Sequence, residues 1–244
     1  MFRIDKDVFC VEGTAVNWVI LRDGQDLTLV DGGYPGDIDA LLESISAIGH
    51  RPEDVKAVLV THAHVDHVGG LNELYARFGT PVLMHPDELP NATGERHESA
   101  TAQDVMQRMW RPAVAQWARR ISTVGATEPQ VIAHAQGFSL DGPLDLPGSP
   151  VPVHLPGHTS GSTAYLLPHL GMVVTGDALV TGHPLSKTTG PQLLPAFFDN
   201  DRDTARASLS TLAGLAADVV VPGHGEPWQG DLAQAVERAA RLAR

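Results

Sequence analysis

The sequence predicts an α/β fold in which two β-sheets pack face to face with helices on the outside. Three observations carry this reading. Short apolar runs rich in Val, Ile and Leu occur in both halves of the chain, bounded by Gly and Asp turn signals. Segments with apolar residues at helical spacing follow each set of runs. No repeat, low-complexity tract or linker divides the 244 residues, a length that suits one large domain better than two small ones.

In chain order, FRIDKDVFCVEG, AVNWVILRDG and DLTLVDGG read as successive strands within the first residues. DIDALLESISAIG (37–49) is a helix closed by Gly49, and VKAVLVTH (55–62) is a buried strand. GGLNELYARFG (69–79) is a helix and PVLMH (81–85) a strand. Residues 86–137 differ in character and form a helical insertion or lid. Within it, QDVMQRMWRPAVAQWARRI (103–121) is a helical run interrupted at Pro112. Strands return at 151–156, 162–168 and 171–177. A helix over 204–216, a strand over 218–224 and a helix over 232–243 complete the chain.

Composition narrows the function classes. The chain is 43% hydrophobic and carries a formal net charge of -12 with no basic block, so polyphosphate is repelled and nucleic acid is not an expected partner. No apolar stretch reaches the roughly 18 residues needed to span a bilayer, so no membrane role is expected. One cysteine, Cys10, excludes an internal disulfide. The first ten residues have scattered charges and no signal-peptide core, so a cytoplasmic location is expected. Oligomeric state leaves no pattern here, and a homodimer stays open.

The chemistry lies at strand ends. THAHVDHVGG (61–70) follows a buried strand and places His62, His64, Asp66 and His67 within six positions. Three further apolar strands run into Gly-flanked ligand-type residues: His158 in PGHTSGS, Asp177 in VVTGD and His224 in VPGHGEP. A catalytic zinc takes about three protein ligands and keeps a position for water. His62 and His64, two apart on an extended segment, can join His158 in one set. Asp66 and His67 can join His224 in a second, with Asp177 bridging. Seven ligands suit two ions about 3.5 Å apart. The other seven histidines, His50, His85, His97, His134, His154, His169 and His183, read as surface or hydrogen-bonded core residues. Ser160 and Ser162 read as turn residues, and Phe197 and Phe198 as packing.

THAHVDH resembles the T-H-x-H-x-D-H signature of the metallo-β-lactamase fold hydrolases. His158, Asp177, His224 and the early VDGG with Asp31 match the remaining motifs in order, so the resemblance covers essentially the whole chain. It implies a four-layer αβ/βα sandwich with a dinuclear metal site at one edge. It also implies that Asp31 supports the site from behind without binding metal. The expected cofactors are two divalent ions, zinc first on the donor set, with iron or manganese as alternatives. The expected mechanism is attack on a carbonyl by a metal-bridging hydroxide, with Asp66 accepting or orienting a proton.

Departures from the family's branches narrow the substrate. Asp177 with the Asp66–His67 pair is similar to the glyoxalase II and lactonase type of site. The best-known antibiotic-degrading class uses a cysteine ligand, and Cys10 is far too early to supply it. GDALVTGHPLSKTTGPQ lacks the G-C-G-R-like segment of glyoxalase II and persulfide dioxygenases, and Val180 stands where homoserine-lactone hydrolases often carry tyrosine. Ala63 stands where flavodiiron proteins place Glu. The RNA-processing and DNA-repair branches carry a large extra domain for which this length leaves no room. The expectation is a hydrolase of a small ester, thioester or lactone. A mononuclear iron oxygenase and a β-lactam hydrolase are the alternatives. Lys187 and the arginines of 96–120 are candidates to bind an anionic group, each weighed against a solvated surface charge.

Overall fold

The protein is described by a computed structural model over residues 1–243. Its strands are β1 (Phe2–Asp5), β2 (Val8–Glu12), β3 (Asn17–Asp23), β4 (Asp26–Val30), β5 (Val55–Leu59), β6 (Val82–Met84), β7 (Gln136–Gly137), β8 (Val151–His154), β9 (Thr163–Leu167), β10 (Met172–Gly176), β11 (Val219–Pro222) and β12 (Trp228–Gln229). Its α-helices are α1 (Ile38–Ala47), α2 (Val65–Val68), α3 (Leu71–Phe78), α4 (Leu89–Ala92), α5 (Ala102–Met106), α6 (Pro112–Ser122), α7 (Arg202–Ala213) and α8 (Leu232–Leu242).

Strands β1 to β7 form one sheet in chain order, antiparallel through β4 and parallel beyond it. The second sheet runs β12-β11-β10-β9-β8 and is mixed as well, with β10 and β11 parallel. The strand period of two sorts each strand's side chains between two cores. From β3, Val19 and Leu21 join Val174, Tyr165 and Val221 of the other sheet in the central core. Trp18 and Ile20 point the opposite way, onto Leu41 and Ile45 of α1 and Leu71 and Leu74 of α3. Across the sandwich, Val173 and Val220 pack under Leu209 and Leu212 of α7 and Val236 and Ala239 of α8. These three cores define the αβ/βα sandwich expected from the sequence.

Several boundaries differ from the sequence reading for identifiable reasons. FRIDKDVFCVEG is two strands, because Asp7 donates its backbone N–H to the Asp5 carboxylate at 3.3 Å and turns the chain there. A one-turn helix, α2, precedes α3 and contains Asp66 and His67. The run 103–121 breaks where expected: α5 ends at Met106, and Pro112 opens α6, the first-turn position where its missing N–H costs nothing. Strands β7 and β12 are two residues each, too short to leave a periodicity. β7 pairs with β6, so the insertion rejoins the first sheet at its edge.

One hydrogen bond ties the two sheets together directly beneath the His62 segment. The Tyr165 hydroxyl, on β9, donates to the Val60 carbonyl at 2.7 Å in a fully buried setting. Replacing Tyr165→Phe leaves that carbonyl without its donor, and urea unfolding is expected to show a loss of about 1–2 kcal/mol.

Candidate metal centre

The side chains singled out in the sequence come from both sheets and meet at one edge of the sandwich. His62 and His64 leave the end of β5 on extended backbone, and α2 then turns Asp66 and His67 inward. His158 follows β8, Asp177 follows β10 and His224 follows β11. His62, His67, His158, Asp177 and His224 are buried, while Asp66 keeps 16% of its side chain exposed.

Two sets of donor atoms form. In the first, His158 Nε2 lies 3.2 Å from His62 Nε2 and 3.1 Å from His64 Nδ1. In the second, Asp66 Oδ2 lies 3.5 Å from His224 Nε2 and 3.9 Å from His67 Nε2. Asp177 sits between them. Its Oδ2 is 3.2 Å from His224, 3.5 Å from His158 and 3.8 Å from His62, and its Oδ1 is 3.4 Å from His67.

The outward nitrogen of each ring is engaged, which fixes the tautomer and turns a lone pair inward. His67 Nδ1–H donates to Asp31 at 2.7 Å, and His158 Nδ1–H donates to Asp199 at 3.1 Å. His64 Nε2–H donates to the Glu98 carbonyl at 2.7 Å, and His224 Nδ1–H to the Ala15 carbonyl at 2.6 Å. The Thr61 hydroxyl donates to Asp31 at 2.8 Å, so its oxygen accepts from His62 Nδ1 at 3.1 Å. Asp31 also accepts the Thr61 backbone N–H at 2.8 Å. Asp31 and Ala15 reach these positions with left-handed backbone, φ 64° and 65°.

Charge balance sorts the rings into two classes. Burial, with the neighbouring His67, His64 and His158, pushes His62 well below the usual histidine range. Burial and His158 lower His64 to about 4. Burial also opposes the charge on His67 and His224, but Asp31, Asp177 and Asp66 around His67, and Asp177 and Asp66 around His224, raise both. Burial would raise Asp177, but His224 and His67 hold its carboxyl well below the usual range.

The residues present fit a metal pair. His67 Nε2 and Asp177 Oδ1 are sealed from solvent with no hydrogen-bond partner among the described residues, an arrangement that a shared cation would satisfy. Three trios, His62–His64–His158, His62–His67–Asp177 and Asp66–His67–His224, each bring their donor atoms within 4.8 Å of one another. Gly223 leaves room for them: a Cβ there would stand 2.5 Å from Asp177 Oδ1 and 2.9 Å from the His67 ring. A fourth trio, His85–Asp87–His154, lies apart. There the two rings stack in parallel, 4.1 Å apart and 11° inclined, so their lone pairs run side by side and do not converge.

Sequence reasoning missed several groups that hold the centre. Asp199, the partner of His158, also takes a bond from Arg202. Glu88 is buried and accepts from Ala63 N–H (2.8 Å), Gly161 N–H (3.0 Å) and the Thr159 hydroxyl (2.7 Å), clamping the His62 and His158 segments together. The Glu98 carboxylate binds Ser160 through its N–H and hydroxyl, so Ser160 is an anchor as well as a turn residue. Tyr34 is buried, and burial, then the charges of Asp66 and Asp177, push its hydroxyl upward and keep it protonated. His183, which read as an ordinary histidine, instead lies with its ring centre 5.1 Å from that of His224. Its only sequence signal was its Gly-flanked place after Asp177. Among the candidate cations, Arg108 stacks on Phe197 at 4.5 Å and donates to the Asp104 carbonyl, which gives it a structural role.

Convergent imidazoles and carboxylates on a buried, pre-oriented frame define a metal-dependent hydrolase. The particular family is then settled by comparison: the profile of the metallo-beta-lactamase superfamily matches residues 11–224, and the chain belongs to that superfamily. The chain is 25% identical over 215 residues to the probable metallo-hydrolase YflN of Bacillus subtilis (strain 168), covering 83% of this chain and 76% of that one. Its fold is similar to that of Rm3 metallo-beta-lactamase, with a TM-score of 0.67 at 22% identity over 99% of this chain and 91% of that one. It is also similar to TTHA1623, solved in a di-iron-bound form, with a TM-score of 0.63 at 25% identity over 95% and 97%.

Removing a supporting carboxylate frees a ring that must stay aimed. Asp31→Ala and Asp199→Ala are each expected to weaken divalent-metal affinity about 10–100-fold in a chelator competition titration, with far-UV circular dichroism unchanged. Gly223→Ala places a methyl group against Asp177 and His67, and metal analysis is expected to show loss of bound ion from folded protein.

Proposed function

We propose that the protein is a dinuclear zinc hydrolase acting on a small ester, thioester or lactone. The observation that carries the reading is Asp177, a buried carboxylate facing donors of both sets at 3.2–3.8 Å. His62, His64 and His158 would hold one ion, Asp66, His67 and His224 the other, and Asp177 would serve both. Such a pair, when bound, supplies a water of lowered pKa and polarises a carbonyl.

The chain's own residues do the rest. Asp66 is the carboxylate of the set that solvent reaches, so it is the group placed to take up a proton and pass it to water. The insertion 86–137 contacts the centre and its surroundings: the Glu98 carbonyl aims His64, and the Trp117 ring of α6 has its centre 5.8 Å from that of His183 and 5.7 Å from that of Phe198. The substrate is a small molecule. The acidic surface disfavours nucleic acid, and among the described residues no helix is long and apolar enough to cross a membrane. A cytoplasmic location completes this reading.

Protein purified without added metal is expected to carry about two zinc ions per chain by elemental analysis. With defined zinc it is expected to turn over members of a panel of esters, thioesters and lactones, and Asp66→Asn is expected to lower kcat by ~100-fold or more. The second reading is a mononuclear iron oxygenase; the di-iron-bound form of TTHA1623 supports iron as a metal for this fold, without bearing on the reaction. About one iron per chain with oxygen uptake on a thiol substrate would establish it in place of the hydrolase. Preferential turnover of a chromogenic β-lactam would move the substrate class to that of Rm3.

A further inference from the structure

We infer that His183 is a substrate-contacting hydrogen-bond donor, its Nε2–H directed at the oxygen on which negative charge builds when a carbonyl is attacked. The inference rests on the hydrolase reading and adds to it a residue outside the seven metal-ligand positions.

The loop after Asp177 is fastened to the His224 turn. Thr181 and Gly182 donate their backbone N–H groups to the His224 carbonyl at 3.1 and 3.3 Å. The Thr181 hydroxyl donates to the Glu226 carbonyl, and Val180 forms a two-bond bridge with Gln192 at 3.0 and 2.8 Å. Gly225 comes so close to Gly182 that a Cβ on it would stand 2.3 Å from the Gly182 nitrogen. His183 is therefore set beside His224 by a rigid framework, as a positioned donor requires.

The ring's protonation state follows from one bond. The Leu185 backbone N–H donates to His183 Nδ1 at 3.1 Å, so Nδ1 carries a lone pair and the proton sits on Nε2. A neutral imidazole donates a hydrogen bond without giving up its proton, which suits stabilisation of an oxyanion.

That donor has no partner in the protein. Among the described residues nothing accepts a hydrogen bond from Nε2, yet Nε2 is not one of the atoms sealed from solvent. His224, Phe198 and Trp117 surround the ring edge-on, with centres 5.1, 5.2 and 5.8 Å away. A ring used only for packing against His224 would gain nothing from a held tautomer with an open N–H.

Two variants separate donation from packing. His183→Phe keeps an aromatic ring against Trp117 and Phe198 and removes the donor, whereas His183→Gln keeps an N–H at a similar reach. On any ester, thioester or lactone that the wild type turns over, His183→Phe is expected to lower kcat about 100-fold with KM and zinc content little changed. His183→Gln is expected to recover part of that loss. Wild-type kcat in His183→Phe, or a larger loss in His183→Gln than in His183→Phe, would overturn the inference. A measurement independent of turnover is the long-range 1H–15N spectrum of the zinc-loaded protein, with the His183 signal assigned by its loss in His183→Phe. Methylphosphonate monoethyl ester, a tetrahedral oxyanion mimic, is expected to shift the His183 Nε2 signal, and an unmoved signal would also overturn the inference. If the wild type hydrolyses no member of the panel while the signal still moves, the hydrolase reading fails and the donor role stands.

Discussion

Asp177 imposes the constraint that the surrounding structure satisfies. A carboxylate with 3% of its side chain exposed is costly to keep ionised unless positive charge or hydrogen bonds surround it. Here four histidine nitrogens lie within 3.8 Å of it, drawn from the ends of β5, β8 and β11 and from α2. Those rings would turn away from one another if left free. Each is held by its far nitrogen, through Asp31, Asp199, the Ala15 carbonyl or the Thr61 hydroxyl, and those groups are anchored in turn by Arg202, by left-handed backbone at residues 15 and 31, and by the sheet ends. The frame extends outward until it reaches the three apolar cores.

Much of this was legible in the residues themselves. The buried strands show as apolar runs because both faces of each sheet are covered. Their ends show because Gly and a ligand-type residue follow each run. Asp31, His62, His64, Asp66, His67, His158, Asp177 and His224 all lie in such stretches, and the structure brings all eight to one edge. The lesson of the boundaries is local. A two-residue strand such as β7 has no period to detect, and the turn at Lys6 depends on a side-chain acceptor two positions away.

The groups that escaped notice share one physical property: they act through backbone carbonyls or over long sequence separations. Asp199 is 41 residues from His158, and Glu88 is 73 residues from Gly161. The Ala15 and Glu98 carbonyls belong to residues whose side chains say nothing of the bond. Residues 86–137 read as a helical insertion or lid, yet Glu88 and Glu98 make that segment part of the frame of the His62 and His158 loops.

The spread of the donors along the chain also orders events in time. The cluster at 62–67 offers only fragments of each set, and His224, on the far side of β11, is the last contributor to leave the ribosome. A nascent chain ending before β11 lacks one imidazole of the seven-residue set, and its His158 and Asp177 belong to the second sheet, so they meet the 62–67 cluster only when the two sheets pack together. Ion capture is thereby deferred to the finished sandwich. The full donor set belongs to the completed architecture and not to the histidine-rich peptide.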